Sequence, residues 1–398
     1  MAGIRDRIAS VAAVAPRAYW VLWWGTLINR LGNFVVPMLT IYLIRVRHVS
    51  VSEAGAAVAM YGAGSIGASF IGGYLADHVG RKPTLAIALF GGSAAMLGLG
   101  LARDLTTITV MVGVLALVTE QYRPAVQAIV ADVVPRPQQI AAYGLLHWVI
   151  NIGFSFAAII GGLLAELDFT ILFIADAATT LIYGVIVLIA VPETRPARTP
   201  QHRASPSRSW ITDPSFVAFI LILFGLALLP VQAAAPLAAH MTEQGFPAAA
   251  FGGVIAVNGV LIIILQPTLA GWASRRDATR VLIAAALFYG VGLAMHGLAT
   301  SLVLHAAAVM VWTVGEILES PTRASIVAAM SPIDARGRYQ GAVVMTFGAA
   351  QLIGPRAGTW IWQHVGRGVL WAGCLALSVV IVIALAATAP GRRRRMAR

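Results

Sequence analysis

Two groups of polar side chains recur at helical intervals within otherwise apolar stretches of the sequence. They are Glu120, Arg123 and Gln127 in the first group, and Glu316, Glu319 and Arg323 in the second. Such intervals bring side chains onto one face of an α-helix. A carboxylate beside an arginine can form an ion pair that only neutralises both groups. Where water is scarce, it can instead bind and release a proton.

The second group contains one carboxylate more than its arginine can neutralise. Glu316 and Glu319 are three residues apart, and Arg323 lies on the same predicted face. Repulsion between neighbouring carboxylates and removal of water both favour the protonated form. We therefore predict proton coupling at Glu316 or Glu319. Glu120 is the alternative site if its pairing with Arg123 is not purely structural.

The composition shows what kind of element must position these groups. Of the 398 residues, 59% are hydrophobic and 11% are charged, whereas soluble domains carry about 25% charged residues. Most of the chain must therefore lie in lipid. The net charge of +12 does not indicate nucleic-acid binding, because the basic residues fall in short loops and at the chain ends.

Hydropathy, interrupted by charged and Pro/Gly clusters, divides the chain into twelve predicted spans of about 20 residues or more. They are 18–44, 53–76, 83–102, 106–131, 139–165, 169–191, 214–240, 247–273, 279–300, 302–330, 338–363 and 367–389. The sequence therefore predicts an all-α integral membrane protein with 12 transmembrane helices.

The basic residues are distributed unevenly between the two sides of these spans. With the N-terminus inside, twenty Lys and Arg residues fall in cytoplasmic segments, and four fall in outer loops. The positive-inside rule then predicts that both termini are cytoplasmic. An Arg-rich composition with one lysine, Lys82, is typical of a GC-rich bacterial source. We therefore expect a location in a bacterial inner (cell) membrane.

A polar stretch divides the chain into similar halves. Residues 192–213 are rich in Pro, Arg and Ser, and they predict a cytoplasmic linker between bundles at 1–191 and 214–398, the second ending in a basic cytoplasmic tail. Residues 129–135 read IVADVVP, and residues 326–332, at a shift of 197, read IVAAMSP. Repeats of this kind predict two pseudo-symmetric six-helix bundles around a midplane site.

The loop between the second and third spans carries a recognisable pattern. Residues 73–82 read GYLADHVGRK, which resembles the signature G-x-L-A-D-[RK]-x-G-R-[RK] of the major facilitator superfamily. With the 6+6 plan, the resemblance covers almost the whole chain. It implies a secondary transporter that works by alternating access and whose fourth and tenth helices line a central cavity. It also implies a gate formed by residues of this loop and the fourth span: Gly73, Asp77, Gly80, Arg81 and Asp132.

The residues of this loop also have a physical interpretation of their own. Gly73 would allow two helices to approach closely, and Gly80 would allow a tight turn. Asp77 is placed to cap a facing helix or to pair with Arg336 or Arg338, and Arg81 is placed to pair with Asp132.

Polar residues within the other spans are candidates for a substrate cavity, because a charged group at mid-bilayer costs about 2.5–3.5 kcal/mol on insertion scales. With those above, the candidates are Arg30, Asn33, Arg123, Gln127, His147, Asn151, Gln232, Asn258, Arg323 and Gln351. Arg30 could hold an anionic group or pair with Glu120. The alternative for His147 and Asn151 is a helix–helix hydrogen bond. Asp176 is expected to form a structural pair on an outer helix, and His296 and His305 are expected to be solvated.

The sequence has no catalytic signature, nucleotide-binding loop or Cys/His cluster, and its one cysteine, Cys374, lies in an apolar run. We therefore expect no enzyme activity, no cofactor and no metal, with transport driven by an ion gradient or running downhill. The predicted function is proton-coupled efflux of small amphipathic compounds by a monomeric antiporter in contact with membrane lipids. The alternative is a proton-driven symporter or a lipid-moving carrier of the same fold.

Overall fold

The computed structural model describes residues 11, 13–194, 210–332 and 336–396, and no strand occurs among them. Fifteen α-helices with defined bounds account for most of these residues. They are α1 Arg17–Leu31, α2 Val35–Arg45, α3 Val51–His78, α4 Arg81–Leu101, α5 Leu105–Thr119, α6 Tyr122–Val133, α7 Arg136–Leu167, α8 Phe169–Ala190, α9 Pro214–Leu228, α10 Ala235–Glu243, α11 Ala248–Ala273, α12 Ala278–His296, α13 Leu302–Met330, α14 Arg336–His364 and α15 Arg367–Met396. Most of the predicted linker 192–213 and both chain ends lie outside the described residues.

Eleven segments of the described chain are long and apolar enough to cross a membrane. They are Arg17–Arg45, Val51–His78, Arg81–Leu101, Leu105–Val133, Ala141–Leu167, Phe169–Ala190, Pro214–Glu243, Ala248–Ala273, Ala278–His296, Leu302–Met330 and Arg367–Arg395. The all-helical membrane architecture predicted from the sequence is confirmed for these eleven. The predicted span 338–363 corresponds to α14, a 29-residue helix that is more polar and is not among them.

Three of the spans are interrupted in the middle. The first breaks between α1 and α2, the fourth between α5 and α6, and the seventh at a 3₁₀ turn, Pro230–Ala233. A proline has no N–H to donate to the carbonyl four residues earlier. In the first and fourth spans, Pro37 and Pro124 therefore leave the carbonyls of Asn33 and Glu120 without their helical partner. Discontinuous helices of this kind mark binding sites in membrane transporters.

Several helices outside these breaks begin at side-chain caps. The carboxylates of Asp104 and Asp168 accept hydrogen bonds from the N–H groups of Thr107 and Thr170, at 2.8 and 2.7 Å. These hydrogen bonds lower the pKa of both aspartates, because they favour the ionised form. The helix ends between spans are therefore fixed locally.

The described residues group into two compact units. One takes those within Met1–Arg47, Met60–Thr199 and Pro247–Gly259, and the other takes those within His48–Ala59, Pro200–Phe246 and Val260–Arg398. The first has a core around Tyr19, Leu85 and Tyr183, and the second includes a smaller cluster around Val281 and Leu318.

Candidate functional site

A polar cavity of about 50 Å³ lies inside the first unit, next to the breaks in the first and fourth spans. This volume is large enough for a few water molecules. Its lining includes Asn29, Arg30, Asn33, Tyr61, Thr119, Glu120, Tyr122, Asp176 and Thr180. Three residues predicted from the sequence to be functional lie together in this lining: Arg30, Asn33 and Glu120.

Glu120 lies at the break of the fourth span and is 9% exposed. It accepts a 2.8 Å hydrogen bond from the Tyr61 hydroxyl and forms an ion pair with the guanidinium of Arg123. The side chain of Arg123 is 61% exposed. The carboxylate of this ion pair is therefore buried, whereas its arginine is largely exposed. Gln127 is exposed, and its backbone carbonyl accepts a hydrogen bond from Tyr143. The continuous helix predicted through the first group is wrong, because α5 ends at Thr119.

Arg30 lies in the same cavity without an ion-pair partner among the described residues within salt-bridge distance. Its guanidinium stacks on the ring of Tyr122, 4.8 Å from the ring centroid. Its Nε is buried and has no hydrogen-bond partner in the described part of the chain. The cation–π contact compensates part of the cost of burying the charge.

Asp176 has surroundings that differ from the structural pair predicted for it. Its side chain is 4% exposed, and it accepts a 3.2 Å hydrogen bond from the N–H of Val35, the first residue of α2. It also lines the cavity that contains Arg30. The expected structural role on an outer helix is therefore incomplete. The overlooked signal is Pro37, which predisposes the first span to break opposite this carboxylate.

In the second unit, Glu319 and Arg323 form a buried ion pair on α13. The Arg323 Nε lies 2.6 Å from the carboxylate of Glu319, which is 5% exposed, and the Arg323 guanidinium stacks on the Phe347 ring at 4.5 Å. Glu316, one turn earlier, is half-buried. Glu316 and Glu319 both lie within electrostatic reach of the buried Tyr289 hydroxyl on α12.

The other cavity candidates have varied surroundings. The Gln232 amide donates hydrogen bonds to the carbonyls of Leu228 and Gly354, which ties the break of the seventh span to α14. Asn151 donates to the backbone carbonyl of His147 one turn earlier on the same helix, which is not the helix–helix hydrogen bond given as the alternative for this pair. The remaining candidates differ in exposure: Asn258 is buried and Gln351 is exposed.

The signature loop forms a compact charge network. Gly80 has a φ of 136°, which confirms the tight turn that favours glycine. The predicted pair between Arg81 and Asp132 is confirmed at 3.1 Å, and Asp77, which is 71% exposed, lies 3.7 Å from the same guanidinium. The role assigned to Gly73 is wrong, because a Cβ at Gly73 would meet open space, whereas one at Gly72 would clash with Gln121.

One partner in this network was not anticipated. The carboxylate of Glu193, just after α8, accepts hydrogen bonds from the N–H groups of Arg81 and Lys82 at 3.0 and 3.2 Å. An anion at a helix N-terminus is favoured by the unpaired amides there. The side chain of Arg336, a predicted partner of Asp77, lies outside the described residues.

A second correction concerns the histidines expected to be solvated. His296 and His305 are fully buried, and their Nδ1 atoms are 2.9 Å apart. Gln244 bonds His305 and also lies 3.2 Å from the ring of His240. The rings of this buried pair contact those of Trp371, Phe246 and His240 from other parts of the chain, and a hydropathy profile does not show such tertiary burial.

The described chain is therefore a multi-span membrane protein with ion pairs inside its spans. The profile of the Major Facilitator Superfamily matches residues 22–355 and 220–396. The chain belongs to this superfamily, whose members are transporters and not enzymes.

Relatives cover nearly the whole chain. The MFS-type transporter YttB of Bacillus subtilis (strain 168) is 25% identical over 381 residues, 94% of each chain. The multidrug resistance protein MdtH of Salmonella arizonae is 23% identical and is matched over 84% of this chain and 83% of its own. The solved structure of the peptide transporter POT in complex with sulfate has a TM-score of 0.82 at 15% identity, covering 99% of both chains. That likeness concerns the fold.

Proposed function

We propose that this protein is a proton-coupled exporter of small amphipathic compounds in a bacterial inner membrane. Its two halves are six-helix bundles that work by alternating access, so that the substrate site opens to one side at a time. Protons enter the cytoplasm in exchange for substrate. The similarity to multidrug resistance proteins supports export rather than uptake.

The observation that carries this proposal is the buried ion pair of Glu319 and Arg323. While Glu319 is ionised, it neutralises an arginine 2.6 Å away within a membrane-spanning helix. A proton on Glu319 removes that compensation and leaves the charge of Arg323 to be balanced by other groups. Glu316, one turn away, is a second acceptor on the same helix. Proton binding and substrate binding then compete through one local charge balance.

The signature loop serves as the gate of this transporter. Arg81 holds Asp132 and Asp77, while Glu193 holds the first amides of α4. These contacts fix the end of α4 against the ends of α3 and α6. A gate of this kind favours one conformer, and the transport cycle has to break part of it.

The test uses inside-out vesicles loaded with an acidic interior and a set of cationic and neutral amphipathic dyes. In an exporter, addition of a transported dye releases protons from the lumen, and the lumen becomes more alkaline. At least one of the variants Glu316→Gln and Glu319→Gln should abolish this proton release, while passive dye exchange persists in both. The matched control is Glu243→Gln, because Glu243 pairs with Arg367 in an exposed position.

Three outcomes would contradict the proposal. Gradient-driven transport retained in both Gln variants would show that α13 is not the proton site. Dye accumulation driven by protons moving in the same direction would show symport, and reorientation of labelled lipid would show a lipid-moving carrier.

A further inference from the structure

The break in the first span is held by a carboxylate from another span. The helical hydrogen-bond pattern is interrupted between Leu31 and Val35, and Asp176 on α8 accepts a hydrogen bond from the N–H of Val35 as α2 begins. An ordinary capping residue lies next to the helix it caps in sequence, whereas these two residues are 141 positions apart. The cap therefore also joins α8 to the hinge of the first span.

The cavity beside this cap is lined by several charged and titratable groups. The charged and titratable groups that line the cavity are Arg30 from the first span, Tyr61 from α3, Glu120 and Tyr122 from the fourth span, and Asp176 from α8. The part of α4 that lines it, including Leu89 and Met96, is uncharged. Glu120 is already neutralised by Arg123. Asp176 is therefore the second carboxylate, beside Glu120, that lines the cavity and acts on the charge of Arg30.

The geometry points to Asp176 as a proton-binding residue that controls the hinge of the first span. The ionised carboxylate accepts the N–H of Val35 and balances Arg30 in a cavity with room for water. When the carboxylate takes a proton from hydronium, it becomes a neutral acid and a weaker acceptor. The hinge is then held less tightly, and Arg30 can bind another anion. Loss of the proton to water restores the cap.

This inference rests on the proposed function only for its transport consequence, because the hinge can be observed directly. Hydrogen–deuterium exchange of the segment 31–36 is measured on the purified full-length protein at about pH 5.5 and about pH 8, after correction for intrinsic exchange. We expect protection in the wild type to fall by roughly tenfold at the lower pH, the size of effect expected for loss of a hydrogen bond to a charged group. Equal protection at both pH values would overturn the inference and leave Asp176 a structural cap.

The variant Asp176→Asn separates the charge from the cap. The amide oxygen can still accept the N–H of Val35, but its charge does not change with pH. We expect the same protection of residues 31–36 at both pH values and a transport rate that no longer varies with pH between them. Asp104→Asn, which alters a solvated cap on α5, should retain the wild-type response. A response in Asp176→Asn equal to that of the wild type would assign the pH effect to another group.

A second variant keeps the test decisive if Asp176→Asn does not fold. Arg30→Gln removes the positive charge that favours the ionised carboxylate, so the midpoint of the loss of protection should move to higher pH. An unchanged midpoint would overturn the inference. Failure of the proposed coupling at Glu316 and Glu319 would appear separately, as gradient-driven transport that survives their replacement while the hinge still responds to pH.

Discussion

At the scale of single residues, the two Glu–Arg pairs differ in what surrounds them. Glu319 and Arg323 are both largely covered, and Arg323 also stacks on Phe347. Glu120 is covered, but the Arg123 side chain is largely open. A buried carboxylate whose arginine is exposed needs its other hydrogen bonds to remain stable. For Glu120 that bond comes from Tyr61.

Glu120→Gln tests whether this pair is structural. The variant keeps an oxygen that can accept from Tyr61 but loses the ion pair with Arg123. We expect the free energy of unfolding to fall by about 1–3 kcal/mol, with proton-coupled transport retained. Thermal unfolding in detergent and the dye assay measure the two effects. Lost coupling with unchanged thermal stability would instead move the proton site to Glu120.

At the scale of elements, the sequence predicted where the spans lie but not where they break. Proline marks both broken and continuous helices here, since Pro267, Pro321 and Pro355 lie inside α11, α13 and α14. Membrane helices tolerate proline where neighbouring groups satisfy the freed carbonyl. Tertiary surroundings decide between the two outcomes, so a one-dimensional pattern misses them. The cap by Asp176 was missed for the same reason.

Pro124→Ala tests whether the break in the fourth span is used. An alanine N–H at position 124 can donate to the carbonyl of Glu120 and join α5 to α6. Because an interior proline costs a helix about 3 kcal/mol, we expect thermal stability to be kept or raised. We expect turnover to fall, because a continuous helix would stiffen the wall of the cavity at the point where the fourth span is now interrupted.

The matched control for this variant is Pro267→Ala, which removes an exposed proline from the continuous α11. Wild-type turnover in Pro124→Ala, together with a higher unfolding temperature, would show that the break has no part in transport.

At the scale of the whole molecule, the duplication at a shift of 197 predicts the two bundles as contiguous halves. Compactness instead assigns residues 48–59 to the unit that contains most of the second half, and 247–259 to the unit that contains most of the first. Both segments are ends of long helices, α3 and α11, that continue into the other unit. Sequence similarity reports ancestry, and the division at 192–213 stays a prediction.

The orientation of the whole chain is the prediction that depends most directly on charge. Twenty basic residues on one side against four on the other predict that the linker 192–213 faces the cytoplasm.

Ser205→Cys and Thr300→Cys, both made in a Cys374→Ala background, place one thiol in the linker and one in the predicted outer loop between α12 and α13. In intact cells, a membrane-impermeant maleimide should label Thr300→Cys and leave Ser205→Cys unlabelled. Ser205→Cys should react only after the cells are permeabilised. Three predicted spans separate residue 205 from residue 300 and should place them on opposite sides, so labelling of both thiols in intact cells would contradict the predicted number of spans between them. The reverse pattern would invert the predicted orientation.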